Sequence, residues 1–239
     1  MEWNIKSGVL IIGSLLWQDY TYVKGDNIRL NWRNSSLALS DKIAVKVPIR
    51  YGRLSGRRNH EIPTMIFSNK MKRKLGIGYV VPFQSPINTY NELLSQANDL
   101  SNAEGMHRVF VKNWGVLSYL INNKKINPKI KSEVIKLFRQ NKNDPFNPKD
   151  YRVGREKPCI TLSLKLDISW LQTLIPSEQK KLDQFDFLFA TATNPENKVV
   201  SLNTIANKIM GDNDRRYFLN NISNGIITYE DFEIAKKLK

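Results

Sequence analysis

One cysteine, Cys159, and two histidines, His60 and His107, are all that the 239-residue chain carries of the side chains most used for cross-links and soft metals. A lone thiol excludes an intrachain disulfide and leaves nothing that points to an oxidising compartment, so a reduced, cytoplasmic setting is expected. His60, His107 and Cys159 are far apart in sequence and make no zinc set. Long apolar runs are missing as well. The run Gly8 to Trp17 (GVLIIGSLLW) falls well short of the roughly 18 residues of a membrane span. It does not read as a signal peptide, because Glu2 spoils a positive leader and no small-x-small cleavage site comes after it. It is read as a buried strand, and no membrane partner is expected.

Cofactor signatures are incomplete in the same way. Gly76-x-Gly78 lacks the third glycine and the subsequent helix of a dinucleotide site. The window Asn220 to Asp231 has glycine at the sixth position of an EF-hand loop, but Ile222 stands at a ligand position and Asp231 replaces the final glutamate. Ser14 has no G-x-S-x-G context for a nucleophile. Neither a cofactor nor a metal is expected.

Acidic residues are also few: 22 Asp and Glu stand against 37 Lys and Arg, a formal charge of +15. The excess is local, since residues 42–74 hold ten basic side chains against the single acid Glu61. A solvated hairpin tip is the simpler reading of this segment; nucleic acid is the alternative partner, and it is not favoured. The three helices expected at the carboxyl end do not imitate a helix-turn-helix in charge, because residues 196–239 carry seven basic and six acidic side chains.

What is present is a folded-domain composition, 41% hydrophobic and 10% aromatic, enough to offset ordering entropy. The first half reads as strands. Val9 to Leu16 is a continuous apolar run, and Ala44 to Tyr51 sets Val45, Val47, Ile49 and Tyr51 at period two. Thr64 to Phe67 and Ile77 to Val81 are expected to form two antiparallel strands across the basic turn Asn69 to Lys74. The period then becomes helical over Asn88 to Glu104. Thr89 and Glu92 form a T-x-x-E capping box, and Gly105 stands at the end. Tyr90, Leu93, Ala97, Leu100 and Glu104 share one face, so a carboxylate closes an apolar stripe. Val109 to Val111 and Gly115 to Ile121 return to strand. Beyond 126 the spacing predicts a helix opened by Asn127-Pro128, a polar surface loop over 141–157, one long strand from Ile160 to Trp170, and an apolar run Phe185 to Thr193 of undecided type. Helices are expected over 201–210, 213–224 and 228–238.

The strand leading into Gly13-Ser14-Leu15-Leu16-Trp17 resembles the Y-G-S-L loop of γ-glutamylcyclotransferases, and more closely the G-S-L-x-W form of the ChaC-type glutathione-degrading members. The order of the later segments is similar too: Arg50-Tyr51-Gly52-Arg53-Leu54, a T-x-x-F strand, Gly76 to Pro82, and a helix ending in Ala103-Glu104-Gly105. The resemblance covers roughly residues 8–121. It implies an α+β fold with a small mixed, partly closed β-barrel over residues 1–125. Residues 126–239 have no counterpart in the minimal members of that family, and their own spacing predicts a mainly helical extension packed on the same body. The resemblance also implies a γ-glutamyl substrate, with Glu104 as the general acid and base. Gly13, Ser14 and Leu15 would hold a substrate carboxylate or carbonyl oxygen, with Arg50 or Arg53 as extra anion contacts. Ile12 departs from the family pattern, which has a tyrosine before Gly-Ser. A non-catalytic ligand-binding protein on the same fold is the other reading, since fold does not fix function.

Overall fold

Strand formation begins where the chain is most apolar. In the computed structural model, which describes residues 3–21, 25–56, 61–69, 74–142, 145–195, 198–211 and 215–238, β1 (Ser7–Ile11) is buried along its whole length. The strand expected over 9–16 ends at Ile11, because Gly13-Ser14 leads the chain into a 3-10 turn, Ser14–Leu16. The single strand expected from Ala44 to Tyr51 is two strands, β2 (Ile43–Val47) and β3 (Ile49–Ser55). Pro48 stands between them and has no backbone N–H with which to continue a ladder. The alternation survives the break, with Val45, Val47, Ile49 and Tyr51 all buried.

β4 (Ile62–Phe67) and β5 (Gly76–Pro82) occupy the expected runs but do not pair with each other. Past Pro48, β3 leaves the main sheet and takes β4 with it as a separate antiparallel ribbon, while β5 fills the space between β1 and β2. The basic turn between β4 and β5, residues 70–73, lies outside the described residues, as do Arg57, Arg58 and His60.

A helix not read from the sequence, α1 (Ile28–Ser36), comes between β1 and β2. It buries Arg29, Trp32, Arg33 and Ser36, a helical stripe in which arginines stand where apolar side chains are usual. α2 (Tyr90–Ala103) begins at its capping box: Glu92 N donates to Thr89 Oγ1 at 3.1 Å, and Asn88 N donates to Glu92 Oε2 at 2.7 Å. It ends at Glu104, after which Gly105 takes φ +77°, a left-handed conformation that glycine adopts without a Cβ clash. β6 (Val111–Lys112), β7 (Gly115–Ile121) and α3 (Pro128–Gln140) come next.

Residues 160–170 are not a strand. Thr161 N donates to Lys165 O, Lys165 N donates to Thr161 Oγ1, and Leu164 has φ +63°, so this stretch folds back on itself. The apolar positions that looked like strand alternation, Ile160, Leu164 and Leu166, are buried from a tight turn instead. The strands that the second half supplies are β8 (Gln172–Thr173) and β9 (Phe187–Thr193), with α4 (Gln179–Leu182) between them. α5 (Leu202–Gly211), α6 (Arg216–Ser223) and α7 (Asp231–Lys237) complete the chain.

The main sheet runs β6-β7-β9-β1-β5-β2-β8, antiparallel except for β1 beside β9. The class is α+β, as expected. The barrel is not closed: β6 and β8 are the two edges, and the described residues contain no closed barrel. β1 sits at the middle of the sheet. β9 lies between β1 and β7, so a strand from beyond residue 126 fills the centre of the fold that the first half begins.

Candidate ligand cleft at the carboxyl end of β1

A cleft of about 440 Å³ opens where β1 gives way to the turn at 13–16. Gly13, Ser14 and Leu15 form one side of it, and Glu104 from the end of α2 reaches it from another. Two residues so distant in sequence meet because Arg29 of α1 spans them. Its Nη1 donates to Ser14 Oγ at 2.9 Å, and its Nη2 pairs with Glu104 Oε2 at 3.1 Å. The same guanidinium donates through Nε to the carbonyl of Ala103 at 2.8 Å, tying the last turn of α2 to the loop after β1. The second carboxylate oxygen of Glu104 accepts from Thr191 Oγ1 of β9 at 2.5 Å. Both oxygens are thus oriented, with the Arg29 and Glu104 side chains only 10% and 14% exposed.

One turn further along α1, Arg33 donates to the carbonyls of Leu15 at 2.9 Å and Gln18 at 2.7 Å and pairs with Asp19. Burial pushes the Arg33 guanidinium down, and the Asp19 carboxylate opposes that shift. The loop that forms one wall of the cleft is therefore held from beneath by two arginines.

The rest of the lining comes from several elements. From β3 comes Arg53, whose Nη1 donates to the carbonyl of Asn194 at 2.5 Å; from β4 come Thr64 and Met65. Trp114 lies at the β6–β7 turn, and Thr193 is two residues beyond Thr191 on β9. Two residues of strand advance about 7 Å, so the cleft has one end at Glu104 and Thr191 and another at Arg53, Thr193 and Trp114. From α6 comes Tyr217, whose hydroxyl lies 2.9 Å from where a Cβ on Gly13 would stand. Any side chain at residue 13 would displace that hydroxyl. Burial pushes the Tyr217 hydroxyl up, with the nearby Glu104 carboxylate adding to the shift and Asn221, the Met65 backbone and Arg29 opposing it. The hydroxyl stays protonated at neutral pH and is available as a donor.

Arg50 is not part of this cleft. It is buried, donates to the carbonyl of Val200 at 3.1 Å and pairs with Glu230 at 3.2 Å, so its charge serves the docking of α7. Cys159 is buried outside the cleft lining, where desolvation pushes its thiol up to about 12. His107 is exposed after α2. Among the described residues no three His, Cys, Asp or Glu side chains gather as a metal set.

Arg29, Thr191, Trp114, Thr193 and Tyr217 were not singled out from the sequence. The spacing of Arg29, Trp32, Arg33 and Ser36 carried a signal, since these fall at intervals of three, one and three along one helical face. The alternation of Thr191 and Thr193 carried another, but only once Phe187–Thr193 is known to be a strand. Tyr217 gave none. No family model matches the chain, and neither a curated protein nor a solved structure matches it.

Proposed function

We propose that the protein is a γ-glutamylcyclotransferase-type enzyme on a partly closed, barrel-like variant of the mixed sheet, acting on a small γ-glutamyl substrate. The observation that carries the reading is one guanidinium, Arg29, bonded at once to Ser14 and Glu104, so that the glycine-serine turn and the carboxylate face the same cleft. In the proposed reaction Glu104 takes a proton from the substrate's α-amino group. The amine nitrogen attacks the γ-carbonyl carbon, a C–N bond forms, and the original amide C–N bond breaks as Glu104 returns the proton to the departing amine. The products are 5-oxoproline and a free amine. Thr191 and Arg29 orient the carboxylate, which is what proton transfer over a fixed distance requires. The turn at Gly13 to Leu15 receives a substrate carboxylate or carbonyl oxygen, and Arg53 adds a positive group at the other end of the cleft. The hydroxyl that Ile12 lacks is supplied at the same turn by Tyr217.

The test is to incubate the protein with γ-glutamyl amino acids, γ-glutamyl amines and glutathione and to measure released 5-oxoproline. Glu104→Gln is expected to abolish release, because an amide cannot accept the proton, while binding of 5-oxoproline is retained. Turnover that persists in Glu104→Gln would falsify the assignment. One observation favours a second reading, a ligand-binding protein without catalysis: both oxygens of Glu104 already have partners in Thr191 and Arg29. Binding of γ-glutamyl compounds or 5-oxoproline without release of product would select it.

A further inference from the structure

We infer that Tyr217 is a second catalytic residue of the cleft: its hydroxyl donates to the γ-carbonyl oxygen of the substrate and stabilises the negative charge that gathers there as the amine attacks. The inference rests on the γ-glutamyl reaction proposed above and decides which oxygen the Gly13 turn receives. Tyr217 comes from α6, beyond the part of the chain that the resemblance covers. Its hydroxyl lies 2.9 Å from where a Cβ on Gly13 would stand, and apart from chain neighbours it is the one described atom within 4 Å of that point. Gly13 has φ −169°, an extended value that does not itself call for glycine, so the space left at residue 13 belongs to the hydroxyl. Glu104 must reach both the α-amine and the departing nitrogen. The latter is bonded to the γ-carbon, so the carbonyl oxygen is close to Glu104 in any productive pose. The charge of Glu104 is felt at the Tyr217 oxygen more than that of its partner Arg29. A substrate carboxylate beside Tyr217 would meet that like charge, whereas a carbonyl arrives neutral and gains charge only in the transition state.

The way the hydroxyl is held turns its proton toward the cleft. Asn221, one turn along α6 and fully buried, accepts from Trp17 Nε1 through Oδ1 at 2.9 Å and donates through Nδ2 to the Tyr51 hydroxyl at 3.4 Å. Its amide nitrogen has a second hydrogen, and the Asn221 side chain and the Met65 backbone are both bonded to the Tyr217 oxygen. Both bonds oppose the rise that burial imposes on the hydroxyl, as donors to the oxygen do. With its lone pairs so engaged, the oxygen directs its own hydrogen away from them, and no acceptor among the described residues takes it. A substrate oxygen over the Gly13 turn does. As the amine nitrogen bonds to the γ-carbon, the carbonyl electron pair moves onto that oxygen; when the amide C–N bond breaks, the pair returns and the carbonyl re-forms. Tyr217 keeps its proton throughout, while Glu104 carries the one that passes from the attacking to the departing nitrogen.

The test measures kcat and KM for release of 5-oxoproline from γ-glutamylalanine and from glutathione by the full chain, in the parent, Tyr217→Phe, Gly13→Ala and the double variant. Tyr217→Phe keeps the ring against Trp17, at 5.7 Å between centroids, and loses only the hydroxyl. Its kcat should fall about 100-fold or more while KM stays within about threefold, since the donor acts on charge that only the transition state carries. Gly13→Ala displaces the hydroxyl without removing it and should lower kcat at least about tenfold in the parent. In the Tyr217→Phe background the same change should cost less than about threefold, because no oxygen remains to be displaced. Backbone strain from the alanine is common to both backgrounds and cancels in that comparison. The role of Tyr217 is overturned, with the reaction left standing, if the parent turns over and Tyr217→Phe keeps its kcat, if its loss appears in KM alone, or if Gly13→Ala costs the same in both backgrounds. A parent that releases no 5-oxoproline from either substrate overturns the reaction itself, and the role of Tyr217 with it.

Discussion

Arg29 and Arg33 lie one helical turn apart, and each commits its donors to the ends of other elements. Arg29 takes up Ala103 O, Ser14 Oγ and Glu104; Arg33 takes up Leu15 O, Gln18 O and Asp19. Planar guanidinium groups suit this work, since a lysine could not reach three acceptors in one plane. Hydropathy hides such residues, and that is why Glu104 and Gly13 to Leu15 could be singled out from sequence while the residue that joins them could not. Arg50 and Arg53 show the converse. Both looked alike as positive side chains on one strand, but Arg50 faces a buried carboxylate and Arg53 the cleft. Removing one member of a buried pair leaves the other charge uncompensated, at a cost of about 3 kcal/mol or more. Arg50→Met is therefore expected to lower stability by that amount in urea denaturation and to leave 5-oxoproline binding unchanged. Arg53→Met should weaken binding while costing about 1 kcal/mol. Equal effects of the two on both measurements would contradict the placement of one inside the cleft and the other outside it.

At the scale of elements, legibility tracked the chemistry of the ends. α2 was readable because its capping box and Gly105 state both termini and its face is apolar between them. α1 has neither a side-chain cap nor an apolar stripe, and the stretch 160–170 imitates a strand while folding back through Leu164. α7 was readable too, but its first turn conceals a cost. Asp231 and Glu230 are both buried, and each has one carboxylate oxygen without a partner among the described residues. Around them stand Arg50, Lys74, Tyr51, Tyr229 and Thr228, whose hydroxyl is bonded to Asp231. Burial pushes Asp231 up to about 6, with the Glu230 carboxylate adding to the shift and Thr228 opposing it. A folded-state value above the unfolded one means the folded chain takes up the proton first. The destabilisation present above pH 6 is then relieved as pH falls toward about 4, the ordinary aspartate range. Asp231→Asn keeps an acceptor for Thr228 and removes the charge. It should be more stable than the parent at pH 8 and converge with it near the ordinary aspartate range, as read from urea midpoints across pH. A difference that does not vary with pH would show that Asp231 is not titrating in this window.

Across the whole molecule, the resemblance ended near residue 121, and that made the second half look like an addition. The sheet argues otherwise. β9 pairs with β1 over Ser7 to Leu10 on one side and with all seven residues of β7 on the other, and its Phe187 to Ala190 are fully buried. Residues 1–125 alone would present two unpaired interior edges where β9 belongs, and they would expose the apolar faces that β9 and α3 cover. Unpaired hydrophobic edges associate with one another. The cleft would also lose Thr191, the partner of one Glu104 oxygen, together with Thr193 and Tyr217. A fragment of residues 1–125 is therefore expected to be aggregated or unfolded by circular dichroism and size-exclusion chromatography, without the cooperative melt of the full chain. Supplying residues 126–239 as a separate polypeptide should restore a soluble complex, because the two pieces share one sheet rather than one interface. A fragment of residues 1–125 that melts cooperatively as a monomer would overturn this, and would mean that the cleft's first wall can be built without the strand that now orients its carboxylate.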